Sequence, residues 1–146
     1  AEELGAYEVQ RGIPLLGADI EVERTIPLEA GLWAGVSLSK GCYLGQEVLE
    51  RMFSRGNAAR RLVRLRWDGP PVEPGAALVV SAGGDADAES SDAGFVTRSA
   101  AADGGAVALA WLRRRALENP AAVALAASSV PVAFEGFVGG ETPEAP

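Results

Sequence analysis

At residue 61 the hydrophobic pattern of this chain changes its period. Arg61-Leu62-Val63-Arg64-Leu65-Arg66-Trp67 alternates with a period close to two, so it reads as a strand with one wet face. Asp68-Gly69-Pro70-Pro71 then forces a turn. Residues 77–81, 93–98, 106–112 and 130–134 are further strands, and 117–120 is a turn. Short strands at this spacing predict a small β-barrel. Residues 83–92 are small, polar and acidic and read as a mobile hairpin loop.

Upstream of residue 60 the signals are helical or irregular. Residues 2–10 predict a short helix with Leu4 and Tyr7 on one side, and Gly12 suits a positive-φ cap. Residues 13–38 predict loops, short strands and one helical turn near 28–33. Residues 45–55 predict a second helix, with Val48, Leu49, Met52 and Phe53 at helical spacing and Gly56-Asn57 as its stop. Glu47 and Arg51 stand at i,i+4 in the favourable order, worth about 0.3 kcal/mol. A boundary near residue 60 is expected. The chain opens without an initiator methionine and reads as the end of a longer protein.

Composition removes several chemistries. There is no histidine, which takes Ser-His-Asp and Cys-His catalysis and the usual zinc sites away from this chain. One cysteine makes neither an internal disulfide nor, alone, an iron–sulfur site of about four ligands. GxGxxG and P-loop patterns are missing. No run approaches the roughly 18 apolar residues of a membrane span, and no signal peptide is visible, so a cytoplasmic protein is expected. Alanine- and arginine-rich usage suggests a GC-rich bacterial genome. The net charge is −7, yet residues 40–66 carry seven basic against two acidic side chains, +5, leaving −12 for the rest. That basic band reads either as charge alternation on solvated elements or as an anion site.

Within the band lies Lys40-Gly41-Cys42-Tyr43-Leu44-Gly45-Gln46-Glu47, which holds the only cysteine and the only lysine. Gly41 allows close backbone approach, and Gly45 precedes a helix start. A thiol near a helix N-terminus and a lysine is favoured as thiolate. Tyr43 is able to stack on a planar ligand, and Gln46 and Glu47 are polar where helix-start amides need partners. The bland alternative is that Cys42 is a small buried hydrophobe, Tyr43 a core aromatic and the glycines turn formers. Spacing leaves both open.

The octapeptide matches Lys-Gly-Cys-Tyr-x-Gly-Gln-Glu, and on it the chain resembles the YgfZ-type folate-binding proteins. These are relatives of the glycine-cleavage T-protein, an aminomethyltransferase. Gly12-Ile13-Pro14, Gly17-x-Asp19-Ile20 and the run Pro27-Leu28-Glu29-Ala30-Gly31-Leu32 resemble the family's upstream stretch. Arg51, and Arg55-Gly56 followed by Arg60-Arg61-Leu62, resemble its downstream one. The resemblance implies an α+β fold. Residues 1–60 would be the C-terminal part of a T-protein-like folate-binding region. Residues 61–138 would be a small all-β barrel domain, and 139–146 a disordered tail.

The resemblance also implies a role. It points to folate-dependent synthesis or repair of iron–sulfur proteins, which supports tRNA modification indirectly. Tetrahydrofolate or a derivative would be the cofactor, its pocket largely outside this chain. Iron–sulfur proteins or their assembly factors would be the partners, with no membrane, no direct nucleic-acid binding, and a monomer favoured. Cys42 and Lys40 become the catalytic candidates. Tyr43, Gln46, Glu47, Arg51 and Gln10 become the cofactor-binding candidates, with no metal ligand among them. Arg51, Arg55, Arg60 and Arg61 would attract a folate glutamate tail or an acidic partner. The sequence departs from the family where an acidic residue often faces the pterin: the aligned positions are Glu8 and Gln10.

Two other readings stay open. One is a tetrahydrofolate-dependent aminomethyltransferase of the glycine-cleavage type, against which the cysteine motif argues. The other is a non-catalytic module that docks protein or RNA, with Arg61, Arg64 and Arg66 as one exposed strand face. Trp33, Trp67 and Trp111 read as core. Arg113-Arg114-Arg115 reads as a solvated strand end, and Asp19 and Glu29 as loop carboxylates that cap or turn.

Overall fold

The computed structural model describes residues 2–37, 39–55, 58–80 and 91–141. The expected helix stop at Gly56-Asn57, residues 83–90 of the expected loop and residues 142–146 of the expected tail lie outside the described residues, whereas Ser91 and Asp92, also expected in that loop, belong to a strand.

Six antiparallel strands follow the change of period. They are β1 (Arg60–Trp67), β2 (Ala77–Val80), β3 (Ser91–Ala102), β4 (Gly105–Arg113), β5 (Val123–Leu125) and β6 (Ala133–Phe137). Their order in the sheet is β5-β2-β3-β4-β1-β6. The sheet curls into a half-barrel. At one end its two outer strands are linked. Leu125 N–H donates to Val130 O (2.9 Å) and Val132 N–H to Val123 O (3.0 Å), so the segment leading into β6 runs beside β5. Pro131, which has no N–H to donate, sits in that segment, and β6 accordingly starts at Ala133 rather than at 130. β5 and the five-residue helix α3 (Arg114–Glu118) went unread in the sequence. β3 and β4 form a hairpin whose two-residue turn is Asp103-Gly104, with Gly104 at φ +79°.

β4 is buried on both faces. Ala106, Ala108, Ala110 and Leu112 join Val63, Leu65, Trp67, Leu78 and Val96 in the inner core. Val107, Leu109 and Trp111 face the other way and would be wet in a bare sheet. The N-terminal stretch covers them instead. α1 (Glu2–Arg11) lays Val9 on Ala100 and Val107, and Ala30 packs with Leu62, Leu109, Trp111 and Val138. Burying side chains of this size is worth roughly 1.5–3 kcal/mol each. The buried face of α1 is therefore the Ala6–Val9 side, not the Leu4–Tyr7 side the sequence suggested; Leu4 and Tyr7 are exposed. Gly12 takes φ +70°, as expected. The helical turn expected near 28–33 resolves into turns at 27–31 and a 3-10 turn, Trp33–Gly35.

α2 (Gln46–Arg55) follows the octapeptide. Among the described residues no helix is long and apolar enough to cross a membrane.

Candidate functional site

Gly45 adopts φ +88°, and the chain turns there into α2. Gln46 N–H donates to Tyr43 O (3.2 Å) and Val48 N–H to Gly45 O (3.2 Å). The Gln46 side chain reaches back to accept Tyr43 N–H at 3.3 Å. Its amide nitrogen donates to Glu50 at 2.8 Å. Tyr43 is half-buried, and its hydroxyl donates to Ser37 O at 2.8 Å. The Lys40 ammonium sits over the Tyr43 ring, 5.0 Å from its centroid. Between them Cys42 is exposed. This removes the buried-hydrophobe reading of Cys42 left open by the sequence.

The structure thus brings Lys40, Cys42, Tyr43 and Gln46 together on one turn. Glu47 and Arg51 pair with each other on the outer face of α2. Both are mostly solvated, and such a pair contributes a few tenths of a kcal/mol. Gln10 lies elsewhere, on α1, and donates to Ala101 O at 3.2 Å on the end of β3. It borders a depression of about 460 Å³ with Arg66 and Asp103. Glu8, the other residue aligned with the family's acidic position, pairs with Arg98 at 3.0 Å.

Most of the basic band is engaged inside the fold. Arg60 pairs with Glu29 (3.3 Å) and stacks on Trp111 (4.3 Å to the centroid). Arg61 is buried, lies 4.2 Å from the Phe137 ring centroid and 5.3 Å from that of Trp33, and donates to Gly140 O at 3.1 Å. Burial lowers its pKa below the ordinary guanidinium value, partly offset by Glu141. Arg64 and Arg66 both reach Glu135, at 2.9 and 2.7 Å. The exposed face expected of Arg61, Arg64 and Arg66 together does not exist. The pleat sends Arg61 inward beside Val63 and Leu65, and Arg64 and Arg66 outward. Where α2 meets the sheet, Met52, Trp33, Arg61, Phe137, Arg114 and Glu141 line a cleft of about 270 Å³.

Sequence reasoning missed one charged cluster. Asp19 is fully buried. Arg98 donates to its carboxylate at 2.6 and 2.9 Å, Leu15 N–H at 2.8 Å, and the Thr97 hydroxyl also reaches it. Trp111 Nε1–H donates to the Asp19 carbonyl at 2.9 Å. The available signal was one arginine in an otherwise small and apolar strand, Arg98 in 93–102, facing a carboxylate far upstream. The cluster ties the N-terminal stretch to the sheet.

No protein-family model matches the chain. Over 86 residues it is 40% identical to the iron–sulfur cluster assembly factor IBA57, mitochondrial, of Mus musculus, covering 55% of this chain and 24% of that protein. Over 79 residues it is 34% identical to the Homo sapiens IBA57, covering 50% of this chain and 22% of that protein. The chain thus spans about a quarter of the length of the curated relatives it matches. In structure it is similar to the glycine cleavage system aminomethyltransferase T of Bartonella henselae, with a TM-score of 0.68 at 19% identity, covering 97% of this chain and 39% of that one. That likeness shows the fold. Together the relatives and the fold support the resemblance to YgfZ-type, aminomethyltransferase-related proteins that the octapeptide carries.

Proposed function

We propose that this chain belongs to a factor for the assembly or repair of iron–sulfur clusters, and that Cys42 is its working atom. The observation that carries the reading is the exposed thiol on a turn tied down by its own neighbours. Relatives at 34–40% identity that are named iron–sulfur cluster assembly factors support it. Lys40 and the start of α2 flank the thiol on the same turn. The partners are proteins that carry or receive clusters, met in the cytoplasm, and tRNA methylthiolation depends on them downstream.

Tetrahydrofolate belongs to the same proposal, held by a site larger than this chain. Of the described residues, Gln10 fits a pterin edge: its amide nitrogen is fixed on Ala101, and it opens on the depression beside Arg66. Its side-chain carbonyl would accept from a pterin amino group, without the added strength of a charged acceptor. Tyr43 and Gln46 fit a folate contact less well, since Ser37, Lys40 and Glu50 already use their polar groups or ring face. Aminomethyl transfer is favoured only by the fold likeness.

The test is genetic. The parent gene is deleted and restored intact or as Cys42→Ala. Iron–sulfur enzyme activity and methylthiolated nucleosides in bulk tRNA are then measured. The proposal expects both to fall on deletion, to return with the intact gene and to stay low with Cys42→Ala at equal protein level. Equal rescue by both genes would remove Cys42 from the mechanism, and no change on deletion would remove the iron–sulfur role.

A further inference from the structure

We infer that Ser37, which lies outside the octapeptide, is a positioning residue that braces the Cys42 turn from two sides. Its carbonyl accepts the Tyr43 hydroxyl at 2.8 Å, and its side-chain oxygen accepts Lys40 N–H at 3.2 Å. One residue therefore closes a loop on the residues before and after the thiol. The two bonds also explain a third contact. With the Tyr43 ring held by its hydroxyl and the Lys40 backbone held by Ser37, the ammonium comes to rest over the ring, 5.0 Å from its centroid. On the far side Gln46 holds Tyr43 N–H, so Tyr43 is fixed at both its backbone and its hydroxyl. Lys40, Gly41, Cys42 and Leu44 around it are exposed and bury little surface that would order them. Without the brace the thiol would sample many directions. With it the thiol is presented in one, which is what a reaction between two macromolecules needs from an attacking or ligating atom.

This inference deepens the proposal that Cys42 is the working atom, and it is tested separately from it. Cys42 is the only cysteine, so a methanethiosulfonate nitroxide labels one site in the unmodified 146-residue chain. The electron paramagnetic resonance lineshape is recorded for the natural chain and for Tyr43→Phe, Ser37→Ala and Ser37→Thr. Tyr43→Phe keeps the ring and removes one bond of the brace, Ser37→Ala removes the other, and Ser37→Thr keeps both. Restrained motion is expected in the natural chain and in Ser37→Thr. In Tyr43→Phe and Ser37→Ala the rotational correlation time should drop about threefold, toward the free ps–ns motion of an exposed side chain. Circular dichroism checks that each variant is folded, and if Ser37→Ala unfolds, Tyr43→Phe still reads the same brace. Unchanged lineshapes in the folded variants would overturn the inference. The lineshape reports the brace whether or not the thiol is used, and the Cys42→Ala rescue reports use of the thiol whether or not the turn is braced.

Discussion

Asp19 has no solvent contact, and Arg98, 14% exposed, answers its charge from 79 residues away in sequence. Removing one member of a buried pair leaves the other uncompensated, which costs about 3–5 kcal/mol. Arg98→Met is therefore expected to lose that much in urea unfolding, and the double variant with Asp19→Asn to recover part of it. Read from the sequence, Asp19 is a lone loop carboxylate, and it does accept a turn bond from Leu15 N–H. Its partner was illegible, because nothing local marks a contact across that separation. Gly31 is constrained by neighbouring backbone. It sits at φ +76°, and a Cβ there would lie 1.8 Å from the Val138 carbonyl oxygen. Gly17 has a similar φ, +88°, but open space around it. Gly17→Ala should cost about 1–2 kcal/mol, the left-handed penalty alone. Gly31→Ala should cost clearly more, because backbone must move as well; thermal midpoints of the two variants compare them directly.

Among the elements, β1 was the most legible and its charges the least. Period-two alternation placed the strand to within a residue, since one face packs apolar side chains and the pleat does the rest. What the arginines meet depends on β6, which joins β1 from the far end of the chain. Glu135 on β6 receives both Arg64 and Arg66. Burial pulls its pKa up, but the bonds from Arg66 and Arg64 outweigh that and hold it below the ordinary 4.5. A lowered pKa means the folded chain takes the proton later than the unfolded one. The stabilisation is therefore present above pH 4.5 and is lost as pH falls through the folded value. Glu135→Gln should flatten the fall of unfolding free energy on acidification, and a natural-like slope would contradict the assignment. β5 and α3 were illegible for a different reason: three and five residues are too short to show a period.

For the molecule as a whole, the outer face of the sheet decides what can be removed. Leu62, Val107, Leu109 and Trp111 face away from the inner core and are buried because residues 2–31 lie over them. A chain cut to residues 60–141 would uncover much of this face, keeping only Val138 against Leu62, Leu109 and Trp111, and exposed apolar surface of this kind drives aggregation. Such a fragment is expected to bind a hydrophobic dye and to lack a cooperative thermal transition; a soluble fragment with a sharp transition would show that the sheet stands alone. The octapeptide was legible as a candidate site because its thiol, lysine and glycines are crowded into eight residues, but whether the thiol is buried depends on packing no local pattern encodes. The proposed role of Cys42 rests on that exposure. The most direct measurement is reaction of the native chain with a chromogenic disulfide such as 5,5′-dithiobis(2-nitrobenzoate), with and without denaturant. One equivalent is expected to be released at once from the folded chain, with little change in rate on unfolding. A thiol silent until denaturant is added would mean that Cys42 is packed inside, and the site described here would not exist.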